Sequence, residues 1–209
     1  MTRFARIAYT ESVRATQREN GSALAAQRQL AEGDRPDPLG PNEAGFIASR
    51  DGFYMASVGD TGWPYIQYRG GPRGFLHILD AHTLAFADVR GNRQYISAGN
   101  LRQNDRVALF FMDYARQTRL KLLGHATESR PEENPELTER LTEPRTDGRV
   151  ERLFTIRVEG LNWNCPQHIT PRFSEEELQE ALQPVRERMA ALEAENKELR
   201  ARLGAPGTP

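Results

Sequence analysis

The sequence predicts an α+β protein, mainly β, in which an antiparallel sheet closes into a small barrel. From Gly52 onward, six or seven short runs alternate apolar with polar or small residues, as strands do. The predicted strands are closely spaced, and only one helix is predicted between the first six of them. This arrangement favours a closed antiparallel barrel over a fold in which strands and helices alternate. A long heptad-patterned segment follows the last run.

The first two strands are predicted as a hairpin over residues 53–69, where the runs GFYMASV and WPYIQYR flank the turn sequence GDTG. Further strands are predicted from the runs GFLHIL, TLAFAD, RVALFFM and RLKLLGHATE. A polar helical stretch begins near Pro131, and RLFTIRVEGLNW predicts the final strand. Residues 46–173 are therefore expected to form the barrel domain.

Residues 1–45 are expected to lie outside the barrel. Apolar residues at irregular helical spacings, interrupted at Gly21, predict two short helices within residues 4–31. Three prolines and three glycines fall within residues 32–45, a composition that disfavours helix and central strand. This segment is expected to be a linker or an arm that wraps the barrel.

Residues 174–209 form the third predicted region, a C-terminal helix with a disordered end. Ser174 and Glu177 match a capping box, which marks the start of the helix. Apolar residues then recur at heptad positions a and d, which is typical of a coiled coil. Pro184 is expected to kink or break the helix and leave about two and a half regular heptads. An amphipathic helix packed on its own domain is the alternative. The heptad positions are d at Leu178, Val185, Leu192 and Leu199, and a at Leu182, Met189, Asn196 and Leu203.

The composition excludes several function classes. The chain has 209 residues, with 28 basic and 29 acidic side chains, so its overall charge does not favour nucleic acid. Its one cysteine, Cys165, forms no disulfide within the chain. No window approaches the roughly 18 apolar residues of a membrane span, and the N-terminus lacks a signal-peptide pattern. These observations predict a cytoplasmic protein with no nucleic-acid or membrane partner.

The stretch LAFADVRGNRQYISAGNL changes from a strand period to a helix period at its centre. A helix that begins at Asn92 would expose unpaired N–H groups able to bind an anion. Gly91 permits the tight turn, and Arg93 adds a guanidinium suited to phosphate oxygens. The alternative is that Asn92 only caps the helix and Arg93 is solvated.

A second stretch, WPYIQYRGGPRGFLHI, places Gln67, Arg69 and Arg73 around Gly70 and Gly71. Glycines at the end of a strand allow the backbone to approach a planar ligand closely, and arginines can contact phosphate. An ordinary β-turn with exposed arginines is the alternative interpretation.

These two stretches, together with RVALFFMDY, RLKLLGHATE and WNCPQHITPRF, resemble the pyridoxamine 5'-phosphate oxidase family of FMN-binding split barrels, in its less characterised branch. The resemblance covers about residues 46–173. It implies a split-barrel fold, FMN as the cofactor, and a homodimer whose flavin sites lie at the subunit interface. The implied phosphate-binding residues are Asn92, Arg93 and Gln94, with the backbone of Ala87 and Asp88 beside the flavin.

The resemblance also assigns residues outside the phosphate site. A basic residue of the family falls near Arg69 or Arg73, while Gln94 and His77 stand where the family commonly has lysine. Arg119 and Lys121 would reach the partner's flavin. Trp163, with Gln167, His168 or Arg172, would line the isoalloxazine edge; without the resemblance, Trp163 is interpreted as a core residue.

No metal site is predicted, because Cys165 and His168 lack the further ligands that zinc requires. Cys165 is interpreted as an inert thiol rather than a nucleophile, and no catalytic residue is assigned. An FMN-dependent oxidoreductase acting on a small molecule or a nicotinamide is favoured. Oxidation of pyridoxamine phosphate is disfavoured, because CPQHITPR replaces the closely placed Arg and His of the true oxidase. The alternatives are a split barrel that binds F420 or haem, and a non-catalytic flavin-binding or assembly module.

Overall fold

The computed structural model of the chain describes residues 3–30, 35–143, 148–164 and 166–204. The chain divides into two compact units. The first comprises Met1–Asp113 and Gln117–His168, and the second comprises Tyr114–Arg116 and Ile169–Pro209. Two predictions fall on residues that the structure does not describe: the inert thiol of Cys165 and the disordered C-terminal end at residues 205–209.

The first unit begins with four helices: α1 (Arg3–Ala8), α2 (Glu11–Glu19), α3 (Ala23–Gln29) and α4 (Pro41–Ala48). The prediction of two helices before residue 32 is wrong, because the segment forms three. The prediction that residues 32–45 carry no helix is also wrong, because α4 begins at Pro41. Proline suits the first helical position, and the Glu43 carboxylate accepts a hydrogen bond from the backbone N–H of Gly40 at 3.0 Å. These two start signals outweigh the local composition.

One seven-stranded antiparallel sheet, with the strand order β2-β1-β5-β6-β7-β4-β3, forms the centre of the first unit. Five phenylalanines from different parts of the chain fill its core with exposures of 1% or less: Phe53, Phe75, Phe86, Phe111 and Phe154. The α+β, split-barrel fold expected from the sequence is confirmed. The strands are β1 (Gly52–Val58), β2 (Pro64–Gly70), β3 (Leu76–Asp80), β4 (Thr83–Val89), β5 (Arg106–Asp113), β6 (Thr118–Ser129) and β7 (Val150–Asn164), with helices α5 (Ile96–Leu101) and α6 (Pro135–Thr142) and a short 3₁₀ turn (Pro131–Glu133) between them.

Helix α1 lies against β7. The carboxylate of Asp37 accepts hydrogen bonds from the backbone N–H groups of Arg3, Phe4 and Leu161 at 2.8, 3.2 and 3.0 Å. A side chain at Gly160 would come within 2.5 Å of the Phe4 backbone, so α1 approaches the strand too closely for any other residue there.

The second unit consists mainly of α7 (Glu175–Gly204). Its predicted capping box is confirmed: Ser174 N–H donates to the Glu177 carboxylate at 2.8 Å, and Glu177 N–H donates to the Ser174 hydroxyl at 3.1 Å. A break at Pro184 does not occur, because α7 continues through that residue. Among the described residues, no helix has the length and apolar character needed to cross a membrane.

Candidate functional site

The loop between β4 and α5, residues 90–95, does not start a helix at Asn92 as the sequence suggested. Arg93 and Tyr95 have φ values of 62° and 55°, which a right-handed helix does not allow, so α5 begins only at Ile96. The Asn92 side chain instead accepts a hydrogen bond from the backbone N–H of Gln94 at 3.1 Å. The predicted cap is therefore wrong, and the helix-start N–H groups do not lie at Asn92.

The same loop borders a cavity of about 180 Å³, which we call the arginine cavity. Its walls come from β2, the end of β4, the loop, the start of α5 and the first residues of β7. Three guanidinium groups line it, from Arg69, Arg93 and Arg152, together with two carboxylates, from Asp88 and Glu151. The lining charges therefore sum to +1, which suits a small anion.

Arg69 is the most deeply placed of the three arginines. Its Nη1 donates to Oδ1 of Asp88 at 2.6 Å, and its guanidinium carbon lies 5.5 Å from the ring centre of Phe154. Both charged side chains of this pair are 13% exposed. Burial lowers the pKa of Arg69 from its ordinary value, while the carboxylate of Asp88 opposes that shift. Arg69 nevertheless remains charged, since arginine titrates far above neutral pH.

Two buried polar atoms of the cavity residues have no hydrogen-bond partner: Nε of Arg69 and Oγ of Ser97. A buried donor without a partner costs free energy, so such atoms mark places where a ligand can supply the missing acceptor. The structure therefore offers two unsatisfied donors in a cavity of net positive charge, a combination that fits phosphate oxygens.

Tyr95 and Glu151 orient Arg93 at the cavity rim. Arg93 Nε donates to the Tyr95 hydroxyl at 3.4 Å, and that hydroxyl donates to a carboxylate oxygen of Glu151 at 3.1 Å. The Arg152 guanidinium lies 4.5 Å from the Tyr95 ring centre, and its Nη1 is 3.6 Å from Asp88. Arg152 thus links the loop to the Arg69–Asp88 pair.

Sequence reasoning missed Tyr95, Ser97, Glu151 and Arg152 as lining residues. Arg152 lies directly across from Asp88 in the β4–β7 ladder, and that register was not available from the sequence. Tyr95 falls in the half of its stretch that has the helix period, although it precedes α5. Of the fourteen binding residues predicted from the sequence, the cavity brings together seven: Gln67, Arg69, Gly70, Ala87, Asp88, Asn92 and Arg93.

The other predicted residues do not line this cavity. Arg119 and Lys121 lie on β6, where the Lys121 ammonium is 5.6 Å from the Phe4 ring centre. Burial lowers the pKa of Lys121, and the charge of Arg119 lowers it further. The Nε of Arg119 is buried without a hydrogen-bond partner. Two cations thus lie side by side on β6 with an unused donor.

Trp163 is neither a fully buried core residue nor a wall of the arginine cavity. Its Nε1 donates to the Glu43 carboxylate at 2.7 Å, its ring meets that of Phe46 edge-on at 4.9 Å, and the residue is 37% exposed. In the β6–β7 ladder Trp163 pairs with Leu120, whereas Asn162 pairs with Lys121, so the Trp163 side chain lies on the Leu120 face of the sheet and not on the face that carries the cations of β6.

The remaining predicted residues occupy other places. Gly71 N–H donates to the Asp51 carbonyl at 2.9 Å, just beyond β2. Gln167 is an exposed turn residue. Arg172 belongs to the second unit, where its guanidinium lies 5.3 Å from the ring centre of Tyr114. His77 lies on β3 and is not a cavity residue; burial lowers its pKa, and its Nε2 has no hydrogen-bond partner.

The fold and this site define a split-barrel protein with a cavity of net positive lining at the end of β4. A sequence profile of the family described as pyridoxamine 5'-phosphate oxidase matches residues 39–158. The matched segment covers more than half of the chain, from before α4 to within β7. The chain therefore belongs to the pyridoxamine 5'-phosphate oxidase family.

Solved structures with a similar fold include HupZ of Group A Streptococcus, which is 18% identical over 63% of this chain and 98% of its own, with a TM-score of 0.47. A Clostridium acetobutylicum protein, related to general stress protein 26 of the pyridoxinephosphate oxidase family, is 17% identical over 65% of this chain and 94% of its own, with a TM-score of 0.45. An FMN-binding protein of Syntrophomonas wolfei is 11% identical over 72% and 97%, with a TM-score of 0.44. No curated protein matches the chain.

Proposed function

We propose that this chain is an FMN-binding oxidoreductase that holds the phosphate of the cofactor in the arginine cavity. The observation that carries the proposal is the pair of unsatisfied buried donors, Arg69 Nε and Ser97 Oγ, in a cavity with a net positive lining. Membership of a family named for a flavin-dependent oxidase supports FMN as the ligand. Arg93, fixed by Tyr95 at the rim, supplies a further charged donor.

The size of the cavity limits what one chain can hold. Ligand pockets commonly measure about 300–1,000 Å³, whereas the arginine cavity measures about 180 Å³. It therefore suits the phosphate and adjoining ribityl chain rather than the whole cofactor. The isoalloxazine ring needs a further surface, which a second copy of the chain can supply.

We further propose that the chain acts as a homodimer in which the outward face of β2, β1, β5 and β6 meets its copy. One row across this face joins Tyr68, Tyr54, Phe110 and Lys121 as directly paired neighbours. Tyr68 is 53% exposed and Ile66 is 63% exposed on the edge strand. Contiguous exposed apolar side chains of this kind are typical of protein interfaces.

In such a dimer, Arg119, Lys121 and Trp163 of one subunit would lie beside the ring of the cofactor held by the other. When bound, FMN would supply the redox chemistry as an acceptor of a hydride or of single electrons, so no side chain of the chain would have to act as a nucleophile. The cations of β6 would stabilise negative charge on the reduced ring, and Trp163 would border its edge. The proposed substrate is a small molecule or a nicotinamide.

The cavity lining favours FMN over haem. Haem iron takes His, Cys, Met or Tyr as an axial ligand; of these types only Tyr68 and Tyr95 line the arginine cavity of the described chain, and the Tyr95 hydroxyl is already hydrogen-bonded to Glu151. F420 also carries phosphate, so the cavity suits its anionic end as well. Absorbance and mass of the bound molecule distinguish FMN, F420 and haem directly.

The test measures FMN affinity for matched arginine variants of the full chain by the change in flavin fluorescence on titration. Arg93→Ala is expected to weaken binding about tenfold, because it removes a charged donor to phosphate. Arg73→Ala is the control, since Arg73 follows β2 but does not line the cavity. Equal affinity of Arg93→Ala and wild type, or a loss confined to Arg73→Ala, would contradict the phosphate assignment.

The enzymatic part of the proposal has its own readout. Anaerobic addition of NADH or NADPH to the FMN-loaded protein should bleach flavin absorbance, and air should restore it. A flavin that binds tightly but remains oxidised with every nicotinamide and small-molecule donor offered would favour a non-catalytic binding module.

A further inference from the structure

Helix α7 presents an apolar seam that is exposed along its whole length. Residues 178–203 are all exposed, and the seam residues Leu182, Met189 and Leu199 are 38%, 56% and 48% exposed. Exposure of every apolar a and d side chain from Leu178 to Leu203 marks a partner surface. We infer that α7 pairs with α7 of a second copy of this chain as a parallel, in-register coiled coil.

The continuity of α7 gives the seam its length. The helix has 30 residues, so it extends about 45 Å. Pro184 occupies heptad position c, on the outer side of a two-stranded coiled coil, and the carbonyl of Glu180 that loses its helical partner belongs to position f. The proline therefore leaves the a and d positions free to pair on both sides of it.

Charges beside the seam complement one another in the parallel arrangement. Residue g of one helix faces the next e of the other. Arg188 at g then faces Glu193 at e, and Glu195 at g faces Arg200 at e. Both contacts are attractive, and twofold symmetry makes each occur twice.

The same charges would also permit an antiparallel pair, so Asn196 decides the direction. In an antiparallel pair, position a of one helix packs against position d of the other. Arg188 would then face Glu195 of the second helix and Arg186 would face Glu193, and both contacts remain attractive. Asn196 at position a would then lie against Val185, where its amide has no partner. In the parallel arrangement Asn196 meets its own copy and the two amides can hydrogen-bond, which selects the parallel register.

Site-specific cross-linking tests this arrangement in the full chain. Cys165→Ser removes the only natural cysteine, and Leu199→Cys is then added at position d. Mild oxidation should form a disulfide-linked dimer within minutes, because two d residues at the same level face each other. Ala201→Cys, at the outer f position of the same helix, is the matched control and should cross-link at least about tenfold more slowly.

Three outcomes would overturn the inference. Equal cross-linking rates for Leu199→Cys and Ala201→Cys would show that the two α7 helices of a dimer meet at random and do not pair through the seam. No cross-link at Leu199 would show that the seam is covered differently, by its own subunit or by another protein. Cross-linking of Leu199→Cys with separately purified Leu182→Cys, but not with itself, would show an antiparallel pair.

A second measurement uses dissociation on dilution, followed by light scattering or sedimentation. Deletion of residues 184–209 should raise the concentration at which the dimer dissociates by at least about tenfold, because two linked interfaces reinforce each other. An unchanged dissociation would contradict the inference. FMN binding is recorded in parallel, so loss of the cofactor and loss of helix pairing are observed separately.

Discussion

The guanidinium of Arg69 donates to Oδ1 of Asp88 over 2.6 Å while its Nε remains buried without a partner. The carboxylate of Asp88 thus compensates part of the charge of Arg69, while the Nε donor of Arg69 remains unused. Asp88 also lies 3.6 Å from Nη1 of Arg152, so a single carboxylate compensates two cations. An anion that enters the cavity would share these cations with Asp88, and this competition can be measured.

Asp88→Asn should therefore separate stability from anion affinity. The amide keeps the shape of the side chain but leaves Arg69 and Arg152 without their shared negative charge. The cofactor-free protein should lose about 1–3 kcal/mol of unfolding free energy. Affinity for FMN should rise about three- to tenfold, because a like charge near the phosphate has been removed. Urea unfolding and flavin titration give the two values.

Asp113→Asn is the matched control for this experiment. Asp113 is 2.8 Å from Arg50 Nη2, in a buried ion pair outside the arginine cavity. Its substitution should reduce stability by a similar amount and leave FMN affinity unchanged. If Asp88→Asn weakens FMN binding, Asp88 supports the ligand rather than competing with it.

Mixing two variants that each weaken FMN binding should reveal whether the site spans two subunits. In the proposed homodimer, Arg93→Ala removes the phosphate contact of one subunit and Trp163→Ala removes the ring contact given to the other. A heterodimer then contains one site with both defects and one intact site. After complete subunit exchange of equal amounts, about a quarter of all sites should be intact by symmetry.

The readout is FMN bound at a concentration that saturates wild type but neither single variant. Exchange is verified with differently tagged chains. If verified heterodimers bind no more FMN than the parent variants, the cofactor site is built within one chain and the interface proposal is wrong.

The sheet was predictable because alternation is a local property of the chain. The hairpin expected over residues 53–69 corresponds to β1 and β2, which together run from Gly52 to Gly70. The burial of β5 alternates at every residue from Arg106 to Asp113, as the sequence implied. The opening helices were harder to predict, since α4 depends on one proline and one carboxylate in a segment of unfavourable composition.

The site was predicted only in part, because its geometry depends on backbone angles and strand register. Left-handed φ values at Arg93 and Tyr95 delay α5, and neither residue type signals that conformation. Arg152 joins the site only because β7 pairs with β4 in one particular register. Strand pairing of this kind connects residues that are distant in sequence, and it cannot be obtained from a local pattern.

Lys121 should give stability a measurable pH dependence. Burial and the nearby Arg119 lower its pKa in the folded chain, whereas the unfolded chain has the ordinary value of about 10.4. Between these two values the unfolded state binds more protons, so this residue makes stability rise with pH. Below the lowered pKa, Lys121 is charged in both the folded and the unfolded state. There its contribution to the unfolding free energy is constant and at its least favourable.

The variant Lys121→Met isolates this effect, because it removes the titrating group and keeps a side chain of similar length. The unfolding free energy of the variant minus that of wild type should be constant near neutral pH and decrease as pH rises toward 10. Urea unfolding at several pH values measures the difference. A difference that grows with pH would mean that a neighbouring anion raises the Lys121 pKa instead.

Gly160→Ala should loosen α1 from the barrel. A Cβ at position 160 would lie 2.5 Å from the backbone nitrogen and 2.6 Å from the Cα of Phe4, and backbone atoms cannot move aside as a flexible side chain can. Displacement of α1 would weaken the hydrogen bonds that Asp37 accepts from Arg3 and Phe4. Overpacking of this kind costs about 1–3 kcal/mol of unfolding free energy.

Gly45→Ala is the control for Gly160→Ala. Gly45 lies within α4, and a Cβ added there has no atom near it, so this variant should be neutral or stabilise the protein by up to about 1 kcal/mol. Hydrogen exchange separates a local from a global effect: the amides of Arg3 and Phe4 should lose protection in Gly160→Ala while those of β5 and β6 change little. Retained protection at Arg3 and Phe4 would show that β7 moves instead of α1.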